Sequence, residues 1–285
     1  MSSNEEQNAP PLTQSAERVT SSPDHCSVSH FWEQNAEAWT TLVRQGYDVY
    51  RDLVNTPAFL AMLPNVESLY GLDVGCGEGA NTRKLAELGA HMVAIDVAQT
   101  FLHYAQAQEH RDPRGISFQT ASALDLPFEA ASFDFVTAFM SLMDIPDSEK
   151  AVQEAYRVLK RGGFFQFSIT HPCFDTPYRR SLKNATGKEY AVAVGRYFDR
   201  VDGRIDEWMF SNVPDYLRQC WPKFRIPRFH RTLSEWLNML IAAGFVIEEI
   251  AEPKADDAIA AQCPTVADTQ IVAYFLHVRC RKPLS

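Results

Sequence analysis

Apolar runs alternate with helix-forming stretches from about residue 65 to residue 170. The run Ser68-Leu-Tyr-Gly-Leu-Asp-Val ends in an acid two residues before Gly75, and Gly75, Gly77 and Gly79 then fall at alternate positions. A helix is expected over Asn81 to Leu88, closed by Gly89. A strand follows over His91 to Asp96, a helix over Thr100 to Gln108 and a strand from Ile116 to Ala121. Phe133 to Phe139 reads as a fourth strand and Asp147 to Leu159 as a helix; Arg161-Gly162-Gly163 turns the chain into a fifth strand, Phe164 to Thr170. The apolar strands are too continuous for a sheet with one wet face. Repeated β-α alternation of this kind predicts a parallel sheet with helices on both faces.

The flanks read differently. Residues 1–28 are rich in Ser, Pro, Asn and Glu without apolar periodicity, so a disordered tail is expected, and residues 29–285 then form one domain. From His30 to Met62 the spacing of Phe31, Trp32, Ala36, Trp39, Leu42 and Val43 is helical, and Pro57 opens a short second helix. The alternation pauses between His171 and Arg231, too long a stretch for a bare loop, so an insertion with its own structure is expected there. Asp202-Gly203, between two alternating segments, predicts a hairpin turn. A helix over Thr232 to Ala243 ends at Gly244. Strands Phe245 to Ile250 and Thr269 to Cys280, joined by an irregular linker, should pair antiparallel.

Composition narrows the partners. A formal net charge of -9 argues against a nucleic-acid partner. No apolar run reaches the roughly 20 residues that span a bilayer, and the polar start lacks the apolar core of a secretory signal, so neither membrane nor export is expected. Six scattered cysteines without a C-x-x-C pair suit a reducing cytoplasm and predict neither a disulfide framework nor a metal site. The insertion reverses the overall charge, with 12 Lys/Arg against 7 Asp/Glu, which would favour an acidic acceptor unless the charges merely face water.

The glycine turn carries the chemistry. Glycine lets a ligand lie against bare backbone, and the helix that follows presents free amides and its positive dipole end. Gly75-x-Gly77-x-x-Ala80 alone loosely satisfies a dinucleotide fingerprint, so a nicotinamide oxidoreductase is one reading. Leu72-Asp-Val-Gly-Cys-Gly-Glu-Gly79, however, resembles the first motif of the class I S-adenosylmethionine-dependent methyltransferases, in particular the UbiE-like small-molecule group. Three later blocks resemble the same family in the same order: Asp96 at the end of the second strand, Leu124-Asp-Leu-Pro-Phe128 with Ser132-Phe-Asp-Phe135, and Ala155-Tyr-Arg-Val-Leu-Lys-Arg-Gly-Gly163, with Arg161 where proline is usual. The resemblance implies a Rossmann-like, doubly wound sheet of seven strands in order 3-2-1-4-5-7-6 with the last strand antiparallel. It also implies S-adenosylmethionine as cofactor and S-adenosylhomocysteine as product.

The resemblance further implies a cofactor site of Asp73, Gly75, Cys76, Gly77, Gly79, Asp96 and Val97, with Ser122, Ala123 and Leu124 toward the adenine and Phe139 and Met140 beyond the fourth strand. A carboxylate at Asp96, 17 residues after Gly79, can accept both ribose hydroxyls. Asp73 either meets the methionine amino group or holds the loop. Ser122 stands where the family often carries an acid. Methyl transfer is an in-line displacement, so alignment and exclusion of water supply much of the catalysis, and a base serves chiefly a hydroxyl acceptor. The candidates are Asp144 after the fourth strand and His171 after the fifth, in Thr170-His-Pro-Cys-Phe174, because an imidazole titrates near neutrality. Their plainer readings are a helix cap for Asp144 and a support for the mouth of the insertion for His171. The aromatic insertion, with Trp32, Trp39, Tyr47 and Tyr50, is expected to form a lid over a small-molecule acceptor methylated on oxygen or nitrogen. The protein would act as a monomer or homodimer. A non-catalytic S-adenosylmethionine-binding protein is the remaining alternative.

Overall fold

The computed structural model describes residues 25–187 and 189–284; of the tail expected over residues 1–28, residues 1–24 lie outside the described residues. Helix α1 spans His25–Arg44, followed by one turn of π-helix, Arg51–Asn55, and α2, Thr56–Ala61, with proline in its first turn. The central alternation then runs β1 Tyr70–Val74, α3 Ala80–Glu87, β2 His91–Asp96, α4 Gln99–Arg111, β3 Ser117–Thr120, β4 Phe133–Phe139, α5 Ser148–Val158 and β5 Leu159–Thr170. The insertion contributes β6 Tyr178–Lys183, β7 Glu189–Gly195, β8 Val201–Trp208, a four-residue α6 Asp215–Arg218, and β9 Phe224–His230. Helix α7 Leu233–Ala243, β10 Val246–Ala251, α8 Asp257–Gln262 and β11 Phe275–Arg281 complete the chain.

The sheet has seven strands in the order β10-β11-β5-β4-β1-β2-β3. With β10 and β11 counted as the sixth and seventh core strands this is 3-2-1-4-5-7-6, as expected. Strand β11 runs antiparallel to both β5 and β10, and the other neighbours pair parallel. Alternate residues face opposite sides. Phe135 and Phe164 join Leu85, Leu102 and Ala105 of α3 and α4 on one face. Val136 and Phe165 join Val152, Ala155, Trp236 and Leu240 of α5 and α7 on the other. Sequence-local signals set the ends of these helices. Asp147 caps α5 by accepting from the Lys150 amide, and Thr232 and Glu235 close a capping box on α7. No helix among the described residues is long and apolar enough to cross a membrane.

Two expected turns are absent. Strand β5 begins at Leu159 and runs through Arg161-Gly162-Gly163 with a register irregularity against β4. A Cβ on Gly163 would lie 2.7 Å from the Asp134 carbonyl, so glycine there allows two strands to approach closely and does not end one. Likewise β8 continues through Asp202-Gly203. Gly203 (φ 85) sits at a bulge where β8 pairs with β9, whose strand lies across the intervening α6. The hairpin turn of the insertion falls instead between β6 and β7, where Gly187 donates to the Asn184 carbonyl at 2.9 Å. The stretch from Thr269 expected as strand is a 3-10 turn, Pro264–Gln270, and β11 starts only at Phe275.

The N-terminal segment and the insertion form one layer. Asn35 of α1 donates to the Arg225 carbonyl at 3.0 Å and accepts from the Arg225 amide at 3.2 Å, closing the free edge of β9. Trp39 then packs tilted against Phe224 and edge-on against Phe210 and Trp208, with ring centroids 4.8, 4.9 and 5.5 Å away. This layer lies across the carboxyl ends of the central strands.

Candidate active site

Below that layer is a cavity of about 460 Å³. Its floor is the crossing of β1, β2 and β4, where open α/β sheets bind ligands. The glycine turn is held from beneath: the Gly75 and Cys76 amides both donate to the Ile95 carbonyl at 2.9 and 3.0 Å. Gly75 (φ 72) leaves no room for a side chain, since a Cβ would fall 2.4 Å from that of Ser141. Gly77 (φ 56) is the opposite case, because nothing lies within 4 Å of its missing Cβ and bare backbone faces open space. Gly79 (φ 84) is outside the lining; its missing Cβ points at Ala105 and Phe118 at 3.1 Å, so it serves the packing of the turn.

Two acids stand at this floor. Asp96, the last residue of β2, accepts from the Gly77 amide at 2.8 Å and the Ala98 amide at 2.9 Å, and burial pushes its carboxyl up to about 6. Asp73, 2% exposed, accepts from the Thr82 and Thr137 hydroxyls at 2.5 and 2.8 Å. Burial raises its pKa as well, and the two hydroxyls oppose the rise. Both carboxylates, Gly75, Cys76, Gly77, Val97, Ala123, Phe139 and Met140 line the cavity. Met140 takes a left-handed backbone (φ 53), a strained conformation for a side chain of its size. The kink presses Ser141 onto Gly75, and the Ser141 hydroxyl donates to the Val74 carbonyl at 2.7 Å.

Besides Gly79, three expected site residues fall outside the lining. Ser122 turns its hydroxyl to its own loop, accepting from the Leu124 amide at 3.0 Å, while the Leu124 side chain packs into the core. Ala121 and Ala123, whose side chains alternate with theirs, reach the cavity in their place. His171 is 2% exposed, with Nε2 2.7 Å from a Glu252 carboxylate oxygen and Nδ1 accepting from the Cys173 amide at 3.2 Å. Both ring nitrogens are engaged away from the cavity, an arrangement that matches the supporting reading and not that of a base. Asp144 does line the cavity, and it does not cap α5, since Asp147 does. Burial pushes the Asp144 carboxyl up to about 7; nearby Arg228 opposes the rise and Asp175 adds to it.

The rest of the wall was legible only in part. Trp32, Trp39, Tyr47 and Tyr50 line the cavity with Trp208 and Phe210 of the insertion. Glu78 and Arg51, paired at 3.5 Å, and Asp48, whose carboxyl burial pushes up to about 6, also line it. Glu78 lies within the glycine motif, whereas no motif marks Asp48 and Arg51, and the N-terminal segment must first dock for these two to face inward. Tyr50 and Tyr274 both donate to one oxygen of Asp268, at 2.8 and 2.5 Å, which ties the linker before β11 to the same wall. None of the insertion's described Arg or Lys residues lines the cavity. Arg196, Arg200 and Arg204 instead pair with Asp199, Asp202 and Asp206 at 2.6 to 2.9 Å.

A glycine cradle open to the cavity at Gly77, a carboxylate at the end of β2 and a cavity within the roughly 300–1,000 Å³ range of small-ligand sites suit an adenosyl ligand. The seven-stranded sheet with its antiparallel last strand defines a Rossmann-like methyltransferase fold. Residues 72–167 match a family model described as "Methyltransferase domain". The chain is 32% identical over 178 residues to a demethylmenaquinone methyltransferase of Clavibacter sepedonicus, covering 62% of this chain and 66% of that one. It is 35% identical over 154 residues to a ubiquinone/menaquinone biosynthesis C-methyltransferase UbiE of Rhizobium etli, covering 48% and 60%. The chain thus spans less than two thirds of the length of these curated relatives. An S-adenosylmethionine-dependent methyltransferase from Mesorhizobium loti superposes with a TM-score of 0.65 at 29% identity, over 79% of this chain and 96% of that structure. The domain match, these relatives and the structural likeness together support a class I S-adenosylmethionine-dependent methyltransferase. S-Adenosylmethionine is the cofactor that this likeness implies.

Proposed function

We propose that residues 29–285 act as one methyltransferase domain that moves the methyl group of S-adenosylmethionine to a small planar acceptor. The observation that carries the reading is one cavity with two unlike ends: the Gly77 cradle and Asp96 at the floor, and Trp39, Trp208 and Phe210 above. The bound sulfonium supplies an activated methyl group. Asp96 would hold the ribose hydroxyls, and the Gly77 backbone would lie along the ligand. The N-terminal aromatics and the insertion would form the lid, excluding water while aligning the acceptor for in-line attack. Tryptophan faces suit a planar ring, and the relatives named for menaquinone and ubiquinone biosynthesis support a ring acceptor. The insertion's basic surplus gives no support to an acidic acceptor, since none of the described cations of that segment lines the cavity.

Every such methylation of an X–H acceptor releases one proton, and Asp144 is placed to receive it from the cavity wall. Incubation with methyl-labelled S-adenosylmethionine and a panel of phenols, quinols and aromatic amines tests the reading. Transfer to a planar acceptor is expected, with S-adenosylhomocysteine binding detected by calorimetry and no NAD binding. Tight NAD binding without S-adenosylhomocysteine binding would overturn it.

A further inference from the structure

Asp144 stands on a partition. Together with Met143 and Thr170 it lines the main cavity, and the same three residues line a second, much smaller one of about 30 Å³. That annex is polar on its far side, where Asp175, Arg228, His230 and Arg231 meet. Its volume is enough to hold at least one water molecule. Arg228 of β9 is fixed there by Asp175, with Nη1 to Oδ2 at 3.0 Å and a second, shorter bond from Nη2. Its Nε also reaches Asp206 of β8 at 2.9 Å. The Asp175 and Arg228 side chains remain 23% and 28% accessible, so the annex leads toward the surface.

Resting on the methyltransferase reading, the geometry points to a proton exit: Asp144 takes the acceptor's proton in the main cavity and passes it through water in the annex, with Arg228 and Asp175 as positioning residues. The balance is simple. As the acceptor's electron pair forms the new bond to the methyl carbon, the carbon–sulfur bond breaks and its pair stays on sulfur. The acceptor's X–H bond gives its proton to an Asp144 oxygen, and that proton then leaves to annex water and solvent. The route keeps the large cavity closed to water during transfer while giving the proton a separate way out. Asp144 holds its proton up to about pH 7, so it can release it near neutrality.

The charged groups facing Asp144 predict opposite responses. Arg228 favours the carboxylate and Asp175 disfavours it. Arg228→Gln should raise the Asp144 titration by about one pH unit, and Asp175→Asn, which leaves the guanidinium less neutralised, should lower it by a similar amount. His230 and Arg231 also face the annex, and Asp206 reaches it through Arg228. Carboxyl-carbon NMR of the aspartate-labelled full chain reads the titration without turnover. The acid limb of kcat/KM in the labelled-methyl assay should move with it. Val201, which lines only the annex, gives an independent probe: Val201→Phe should cut kcat about tenfold by blocking the route, with S-adenosylhomocysteine affinity kept. An Asp144 titration near the ordinary carboxylate value, or a limb that stays in place while the NMR titration moves, overturns the relay and leaves the methyltransferase reading standing. Unchanged kcat in Val201→Phe overturns the annex as the route. Absence of transfer by the wild-type chain to any acceptor overturns the methyltransferase reading itself, and the relay with it.

Discussion

The ribose contact proposed for Asp96 would couple cofactor binding to protonation, and the coupling has a size. In the free protein its two oxygens accept from Gly77 and Ala98, but burial outweighs those amides and holds the carboxyl near 6. Hydroxyls of a bound ribose donate to the ionised form and favour it, so binding lowers this pKa and releases a proton. Affinity is therefore full above about pH 7 and falls as the carboxyl protonates. At pH 5 roughly ten of eleven molecules carry the proton, which should weaken S-adenosylhomocysteine about tenfold. Asp96→Asn removes charge-assisted bonds of about 1.5–3 kcal/mol each, a loss of at least about tenfold even if one hydroxyl bond is kept. An amide cannot titrate, so the variant's weaker binding should also be flat with pH. Calorimetry with S-adenosylhomocysteine from pH 5 to 8 on both proteins measures this. Equal wild-type affinity at the two ends, or an Asp96→Asn variant that binds as the wild type does, would refute the ribose role.

Gly75→Ala combines a left-handed backbone with a Cβ 2.4 Å from Ser141, so about 1–2 kcal/mol of backbone cost adds to the overlap and should lower Tm by several degrees. A melting curve unchanged from wild type would show that the turn relaxes freely. His171→Gln should lower Tm through the lost Glu252 contact while leaving S-adenosylhomocysteine affinity and the pH profile of transfer within about twofold. Loss of the acid limb in that variant would restore the histidine as the base. Trp39→Ala removes ring contacts to Trp208, Phe210 and Phe224, and should raise the acceptor KM about tenfold at nearly constant cofactor affinity. A larger effect on the cofactor than on the acceptor would place the aromatic layer at the wrong end of the cavity.

The sequence by itself determined the sheet and the floor of the site. Strand and helix periodicity, the glycine spacing and the two acids at Asp73 and Asp96 are local features, and parallel β-α topology carries them to one edge. It was less informative where glycine has two meanings. Gly163 and Gly203 look like turn residues, yet each sits within a strand, because a missing Cβ serves close approach and bulges as well as turns. Side-chain direction was also out of reach. Ser122 and Ala123 are adjacent, and only the observed loop shows that the alanine faces the cavity. On paper both His171 and Asp144 were titratable groups just past a strand, with His171 the better-placed base. Tertiary packing separates them, since Glu252 lies 81 residues beyond His171, while Arg228 and Asp175 reach Asp144 from β9 and from the loop after β5. Burial and charge partners depend on contacts far apart in the chain, and these decide which acid or base can act. The glycine-turn end of the cavity was therefore written in local pattern, and its aromatic end was decided by how the N-terminal helix and the insertion fold over it.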